Sequence, residues 1–151
     1  MGLDMYLNAK RFISLYSEDT KKVKITGLKG ALPPKDGYFN EMGRLRYVEV
    51  NGIYWRKANA IHKWFVDNCQ KGEDNCESHL VSREDLEKLR DLCKEVMSNK
   101  DKAAELLPFQ EGFFFGTYDY DEWYWGSVKG TIEEIDELLN YFDEDWEFYY
   151  E

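Results

Sequence analysis

The chain has 151 residues, of which 43% are hydrophobic and 17% aromatic, and this size and composition predict one folded domain over residues 1–151. The mean hydropathy of -0.68, with no apolar run of about 18 residues in the sequence, argues against a membrane-spanning helix. The formal charge of -10 argues against direct nucleic-acid binding, because phosphate backbones need a basic surface. The first residues show no cationic segment followed by an apolar core, which predicts a cytoplasmic protein.

The charge is unevenly distributed along the chain. Residues 119–151 hold twelve acidic residues and one basic residue, a net charge of -11, so residues 1–118 sum to +1. A local cationic site for a small phosphate ligand is therefore compatible with the acidic total. The basic residues that we expect near such a site are Arg44, Arg46, Arg56, Lys57 and Lys63.

The cysteine and histidine content argues against a metal site. Cys69, Cys76 and Cys93 form no CxxC pair, and an odd number of cysteines without a secretory signal predicts reduced thiols. A zinc site would need an irregular set such as Cys69, Cys76 and His79, whereas structural zinc ligands usually have tighter spacing. We therefore predict no metal and no cofactor.

The first third of the chain predicts strands and loops. Alternation of apolar and polar residues at 3–7 and again at 22–26 favours two strands, and residues 27–37, rich in glycine and proline, favour a loop. Asn51-Gly52 lies between two runs of strand-forming residues, which is typical of a tight β-hairpin turn. The second arm of that hairpin leads directly into a helix.

This helix, over residues 56–69, mixes aromatic, cationic and amide side chains more densely than any other stretch. At about 100° per residue, Ala58, Ile61 and Phe65 share one face with Cys69, and His62 lies at its boundary. The opposite face is predicted to present Arg56, Asn59 and Lys63. We expect the helix to end near Gln70, with Gly72 in the cap region.

The remaining elements complete a mixed fold. Ser82 is the predicted N-cap of an amphipathic helix, and Thr131 is the predicted N-cap of a last helix. Residues 101–107 are predicted to form a short helix, residues 112–116 a central strand and residues 146–150 a closing strand. Strands at both ends with helices between them predict an α+β domain. In this fold the helices pack on one face of a mostly antiparallel sheet.

Three motifs resemble an uncharacterised family of small phage and prophage proteins. They are MGLDMYL at residue 1, YWRKANAIHKWFV at residues 54–66, and GFFFGT at residues 112–117 followed by YDEWY at residues 120–124. The resemblance implies a viral accessory protein made in the bacterial cytoplasm, with a role in interfering with the host. Some members carry a phosphoglycerate kinase label, which the short chain and the lack of a Gly-rich phosphate loop argue against.

The favoured hypothesis is a protein that binds and sequesters a phosphorylated small molecule, such as a nucleotide signal of host anti-phage defence. Arg and Lys side chains would hold phosphate, the amide and imidazole would hydrogen-bond the base or ribose, and aromatic rings would stack. For His62 a ligand role and a structural role remain equally open. The predicted ligand-binding residues are Trp55, Arg56, Lys57, Asn59, His62, Trp64, Tyr120 and Tyr124.

Two alternatives belong to other classes. The acidic last third could imitate nucleic-acid charge and bind a host protein, with contact charges at Glu133, Glu134, Asp136, Glu137, Asp143, Glu144 and Asp145. A small hydrolase would use paired carboxylates among Asp119, Asp121 and Glu122, whose aromatic neighbours favour a raised pKa. No catalytic residue is assigned, and a homo-oligomer is compatible with the sequence.

Overall fold

The computed structural model describes residues 3–12, 47–110 and 119–151. Over these residues the chain forms a four-stranded sheet, four helices and a short 3-10 turn. In chain order the elements are β1 (Asp4–Phe12), β2 (Tyr47–Arg56), α1 (Asn59–Cys69), β3 (His79–Val81), α2 (Arg83–Ser98), the 3-10 turn (Lys100–Lys102), α3 (Ala103–Leu106), α4 (Glu122–Tyr141) and β4 (Glu147–Tyr150).

The sheet is antiparallel throughout, with strand order β2-β1-β4-β3. The first and last strands of the chain are neighbours, because Leu7 pairs with Tyr150 and Ala9 pairs with Phe148. This pairing and the helices confirm the predicted α+β fold class with a mostly antiparallel sheet, and they confirm the closing strand.

The two faces of the sheet differ in burial. Met5, Leu7 and Ala9 of β1 are buried and belong to one core cluster with apolar residues of the helices, whereas Tyr6 and Asn8 point to the outer face. This alternation is the period of two that a half-buried strand requires. Among the described residues, no helix has both the length and the apolar character needed to cross a membrane.

Helix α1 begins later than the sequence pattern predicts. Arg56 is still the last residue of β2, and Lys57 has a positive φ of 56° that interrupts regular structure before the helix. The Lys57 amide donates to the Leu3 carbonyl over 2.7 Å, which extends the pairing with the N-terminal strand by one more bond. The predicted start at residue 56 is wrong for this reason. The predicted end is confirmed, since Gly72 adopts φ of 82° and its amide donates to the Val66 carbonyl over 2.8 Å.

The predicted hairpin at Asn51-Gly52 is also wrong, because both residues lie inside β2. Leu7 pairs with Ile53 and Asn8 pairs with Asn51, which leaves Gly52 as an extra residue in a β-bulge. A Cβ atom at position 52 would lie 2.5 Å from Leu138 Cδ1 and 3.0 Å from the Leu7 carbonyl oxygen. Glycine is therefore required by the close approach of α4, not by a turn.

The helix caps are partly as predicted. Ser82 caps α2, because its hydroxyl accepts a hydrogen bond from the Asp85 amide, and the short helix before Pro108 is also present. The predicted N-cap at Thr131 is wrong, since α4 begins at Glu122 and Asp121 is its N-cap. The two helical glycines of this segment have low helix propensity and made the first half of α4 difficult to predict from its sequence. They are Gly126 and Gly130.

Several predicted features lie outside the described residues. They are the strand at 22–26, the loop at 27–37, the strand at 112–116 and the basic residues Arg44 and Arg46.

Candidate functional site

The two tryptophans of the central stretch are packing residues. Trp55 is 4% exposed, its indole lies 5.6 Å from the Phe65 ring, and its Nε1–H donates to Thr131 Oγ1 over 2.9 Å. Trp64 is half-buried and meets Phe65 edge-on at 5.3 Å. The burial of Trp55 leaves little ring surface for stacking on a ligand, and its side chain joins β2 to α1 and α4, whereas Trp64 packs against the edge of the core.

Arg56 lies on the other side of the sheet from the helices. Side chains alternate along β2, so Arg56 shares the outer face with Tyr54, whose ring lies 5.1 Å from that of Tyr6. The paired residue of β1 on this face is Asp4. The predicted position of Arg56 on one helix face with Asn59 and Lys63 is therefore wrong, because Arg56 belongs to a strand and not to α1.

His62 is enclosed between the sheet and the segment after α1. It is 5% exposed, and its Nε2 lies 3.0 Å from Asp74 Oδ2 while its Nδ1 lies 2.6 Å from the Tyr150 hydroxyl. A carboxylate can only accept, so Nε2–H donates to Asp74 and, in the neutral ring, Nδ1 accepts from Tyr150. Burial, followed by the nearby charge of Asp74, raises the pKa of Tyr150 well above its usual range. The geometry favours the structural role for His62.

A shallow cleft lies where the N-termini of α1 and α4 meet. Three of the predicted ligand residues, Lys57, Asn59 and Tyr124, line it, so the structure brings together part of the predicted set. The interior volume is about 20 Å³, enough for roughly one water molecule, and a ligand would have to extend over the surrounding surface. The other lining residues are Ala58, Ala60, Ile61, Asp119, Asp121, Trp123, Ser127 and Val128.

The two helix N-termini differ in electrostatics. The N-cap residue of α1 is Ala58, which has no side-chain acceptor, and the first turn contains no acidic residue. At the start of α4, Asp121 Oδ1 accepts the amides of Trp123 and Tyr124, each over 3.0 Å. The partial positive charge of the α4 terminus is thus offset locally, whereas that of α1 adds to the charge of Lys57.

The tyrosines beside the cleft act mainly in packing. Tyr124 is 7% exposed, and its hydroxyl donates to the Leu107 carbonyl over 2.8 Å, which anchors α4 to the segment after α3. Burial raises the pKa of Tyr124 above its usual range. The Tyr120 ring packs edge-on against Tyr124 at 4.8 Å and tilted against Phe109 at 5.1 Å, and desolvation raises its pKa as well. Tyr120 does not line the cleft, but it packs against Tyr124, which does.

Four polar or aromatic residues of the cleft are absent from the predicted ligand set: Asp119, Asp121, Trp123 and Ser127. Trp123 is 74% exposed, an unusual position for an indole ring. The acids were considered only as a hydrolytic pair, whereas Asp121 serves as a helix cap. A signal was present, since aspartate is among the preferred N-cap residues and Trp123 and Tyr124 follow Asp121 within one turn.

The described thiols and His79 do not form a metal site. His79 Nε2 lies 3.0 Å from Asn75 Oδ1, and within residues 3–12, 47–110 and 119–151 no three His, Cys, Asp or Glu side chains converge as metal ligands would. Burial raises the pKa of the Cys69 and Cys93 thiols to about 12, and Cys76 is exposed.

Alkylation should discriminate among the cysteines. At pH 8 we expect iodoacetamide to modify Cys76 alone in the folded protein, because Cys69 and Cys93 are shielded and remain protonated at that pH. Peptide mass spectrometry measures the modified positions. Unfolding in urea should make all three thiols reactive, and labelling of Cys93 without denaturant would contradict the packing of α2.

Two acids of the predicted protein-binding surface form ion pairs with basic residues of the same chain. Asp136 lies 3.2 Å from Arg90 and 3.4 Å from Lys94, and Asp145 lies 2.9 Å from Arg11. These ion pairs reduce the negative charge available to a partner. The role in protein binding stays a prediction, and it depends on the exposed acids Glu133, Glu134, Glu137, Asp143 and Glu144.

Known proteins offer no further guide to the cleft. The YWRKANAIHKWFV motif spans the end of β2 and most of α1. That motif contributes Lys57 and Asn59 to the cleft. No protein-family model, curated protein or solved structure matches the chain.

Proposed function

We propose that the cleft at the N-terminus of α1 binds the phosphoryl group of a small molecule, and that the protein acts by sequestering this ligand. The observation that carries the proposal is the position of Lys57 in one cleft with a helix N-terminus whose cap residue has no acceptor side chain. Backbone amides at a helix start and an ammonium group are both suited to a phosphate.

The remaining polar groups of the cleft suit the non-phosphate part of such a ligand. Asp119 and Asp121 repel a second anionic group, but their oxygens accept hydrogen bonds from hydroxyl or amino groups. The Ser127 hydroxyl can donate or accept. The small interior holds roughly one water molecule, so the phosphoryl group would lie at the mouth of the cleft and the rest of the ligand along the surface beside Trp123.

Sequestration needs affinity without turnover. The resemblance to phage proteins supports this role, since a viral protein that captures a phosphorylated signal of host defence needs no nucleophile or general base. Nucleotide signals combine a phosphate with a base and a ribose, and are therefore the first class of ligand to test.

Replacement of Lys57 by glutamine tests the site. We expect Lys57→Gln to weaken binding of a phosphorylated ligand by about tenfold, because the charge-assisted hydrogen bond is lost while a polar side chain of nearly the same length is kept. Isothermal titration calorimetry against a panel of mono-, di- and cyclic nucleotides measures the effect. Binding should also weaken as salt is added.

Two matched variants control for non-specific loss of positive charge. Lys63→Gln removes a cation of α1 that pairs with Asp67 at 2.7 Å, and Arg56→Gln removes the neighbouring cation on the outer face of the sheet. Both should leave the affinity unchanged. An equal loss of ligand affinity in all three variants would reject the cleft as the site. If the protein binds no phosphorylated compound, the proposed function is rejected.

A further inference from the structure

We infer that Trp123 determines ligand specificity by stacking on a planar ring, so that the ligand is a nucleotide and not a sugar phosphate. This inference rests on the proposed function and names the class of ligand for the same cleft. It assigns the recognition of the ring to a residue outside the motif that contributes Lys57 and Asn59.

The exposure of Trp123 is the first observation. The indole is 74% exposed, whereas Trp55 is 4% exposed and the other described tryptophans are half-buried. Across the described ranges, none of the aromatic contacts places a ring against Trp123, although its neighbours Tyr124 and Trp125 pack on each other at 4.9 Å. A large apolar ring left in water is unfavourable, and tryptophan is enriched at surfaces that bind partners.

The position of Trp123 is the second observation. Its amide donates to Asp121 Oδ1 over 3.0 Å, and the next residue, Tyr124, is buried with its hydroxyl bonded to the Leu107 carbonyl. The backbone that carries the indole is therefore fixed on both sides. Stacking on the indole therefore requires no ordering of the backbone that carries it, which favours binding.

Trp123 lines the same cleft as Lys57 and the start of α1. A phosphate held at those groups and a base on the indole would be connected by a ribose. The Asp119 carboxylate, which also lines the cleft, can accept hydrogen bonds from ribose hydroxyls, as acidic residues do in many nucleotide sites. Each part of a nucleotide thus has a chemically matched group in one cleft.

The experiment compares ligands with and without a base. AMP, GMP and ribose 5-phosphate are titrated by calorimetry into the wild-type protein and into Trp123→Ala, Trp123→Phe and Tyr141→Ala. We expect the wild type to bind a nucleotide about tenfold more tightly than ribose 5-phosphate, and Trp123→Ala to abolish that preference. Trp123→Phe should retain most of it, because phenylalanine also presents a ring face.

Tyr141→Ala is the matched control, since it removes an aromatic residue from the same helix that is 81% exposed and lies at the opposite end from the cleft. It should not change either affinity. Equal binding of nucleotides and ribose 5-phosphate by the wild type, or a preference that survives in Trp123→Ala, would overturn the role of Trp123 and leave the phosphate site standing. No binding of any of the three compounds would overturn the phosphate site and the ring contact together.

Discussion

His62→Ala is expected to lower the free energy of unfolding by about 3 kcal/mol, one of the two largest stability effects that we predict. The substitution leaves a void and removes both the donor to Asp74 and the acceptor of the buried Tyr150 hydroxyl. Urea denaturation at pH 7, followed by far-UV circular dichroism, measures the loss. A buried polar group without its partner costs more than the hydrogen bond itself contributes, which is why the effect is large.

The other histidine provides the control. His79 is partly exposed and its side chain bonds Asn75, four residues away, so His79→Ala should change stability by less than about 1 kcal/mol. Tyr150→Phe removes the hydrogen bond between His62 and Tyr150 from the tyrosine side. The double variant with His62→Ala should therefore lose less free energy of unfolding than the two single variants added together. If His62→Ala unfolds at the wild-type urea concentration yet loses ligand affinity, the structural role assigned to His62 is refuted.

Gly52→Ala is expected to destabilise the protein by about 2 kcal/mol through overpacking. The added methyl group would lie 2.5 Å from Leu138 Cδ1 and 3.0 Å from the Leu7 carbonyl oxygen, so the Leu138 side chain or α4 must shift away from the bulge in β2. Thermal and urea unfolding measure the effect. Shortening Leu138 to alanine removes the side-chain clash, and the double variant should therefore be less destabilised than the two single effects added together.

For Gly126, another glycine of the chain, we expect substitution by alanine to have the opposite effect on stability. A Cβ atom at Gly126 would meet no atom within 4 Å, and this residue lies inside α4. Gly126→Ala should therefore stabilise the protein by roughly 0.5 to 1 kcal/mol, because alanine has the higher helix propensity. Destabilisation by both substitutions to the same extent would mean that the close approach at the bulge is not the cause.

Part of the candidate site could be predicted from residue types. The cationic, amide and aromatic groups of Lys57, Asn59 and Tyr124 predict ligand residues, and these three residues line one cleft. The side-chain chemistry of Arg56 and His62 predicts the same role, but they lie elsewhere, one on the outer face of the sheet and the other between the sheet and the Asp74 segment. Residue chemistry indicates what a side chain can bind, but the three-residue shift in the helix start decided which side chains meet.

The local elements were determined by short-range interactions. Ser82 caps α2 through an amide three residues away, and Gly72 ends α1 in a conformation that glycine adopts without steric penalty. The alternation of Met5 and Leu7 with polar residues reflects burial of one face of β1. Such signals are complete within a few residues, so the sequence by itself determined most helix ends, the strands at the two ends of the chain and the α+β class.

Tertiary structure decided the features that join distant segments. Arg83 of α2 donates to the Leu139 carbonyl over 3.0 Å and to the Phe142 carbonyl, and so satisfies the C-terminal end of α4, whose last turn has no basic residue. His62 bonds a hydroxyl 88 residues away, and Gly52 is required by a helix that follows it by some 70 residues. These contacts form only when the sheet and helices pack together, and no pattern within one segment encodes them. The cleft arises in the same way, because the starts of α1 and α4 become neighbours only in the folded chain.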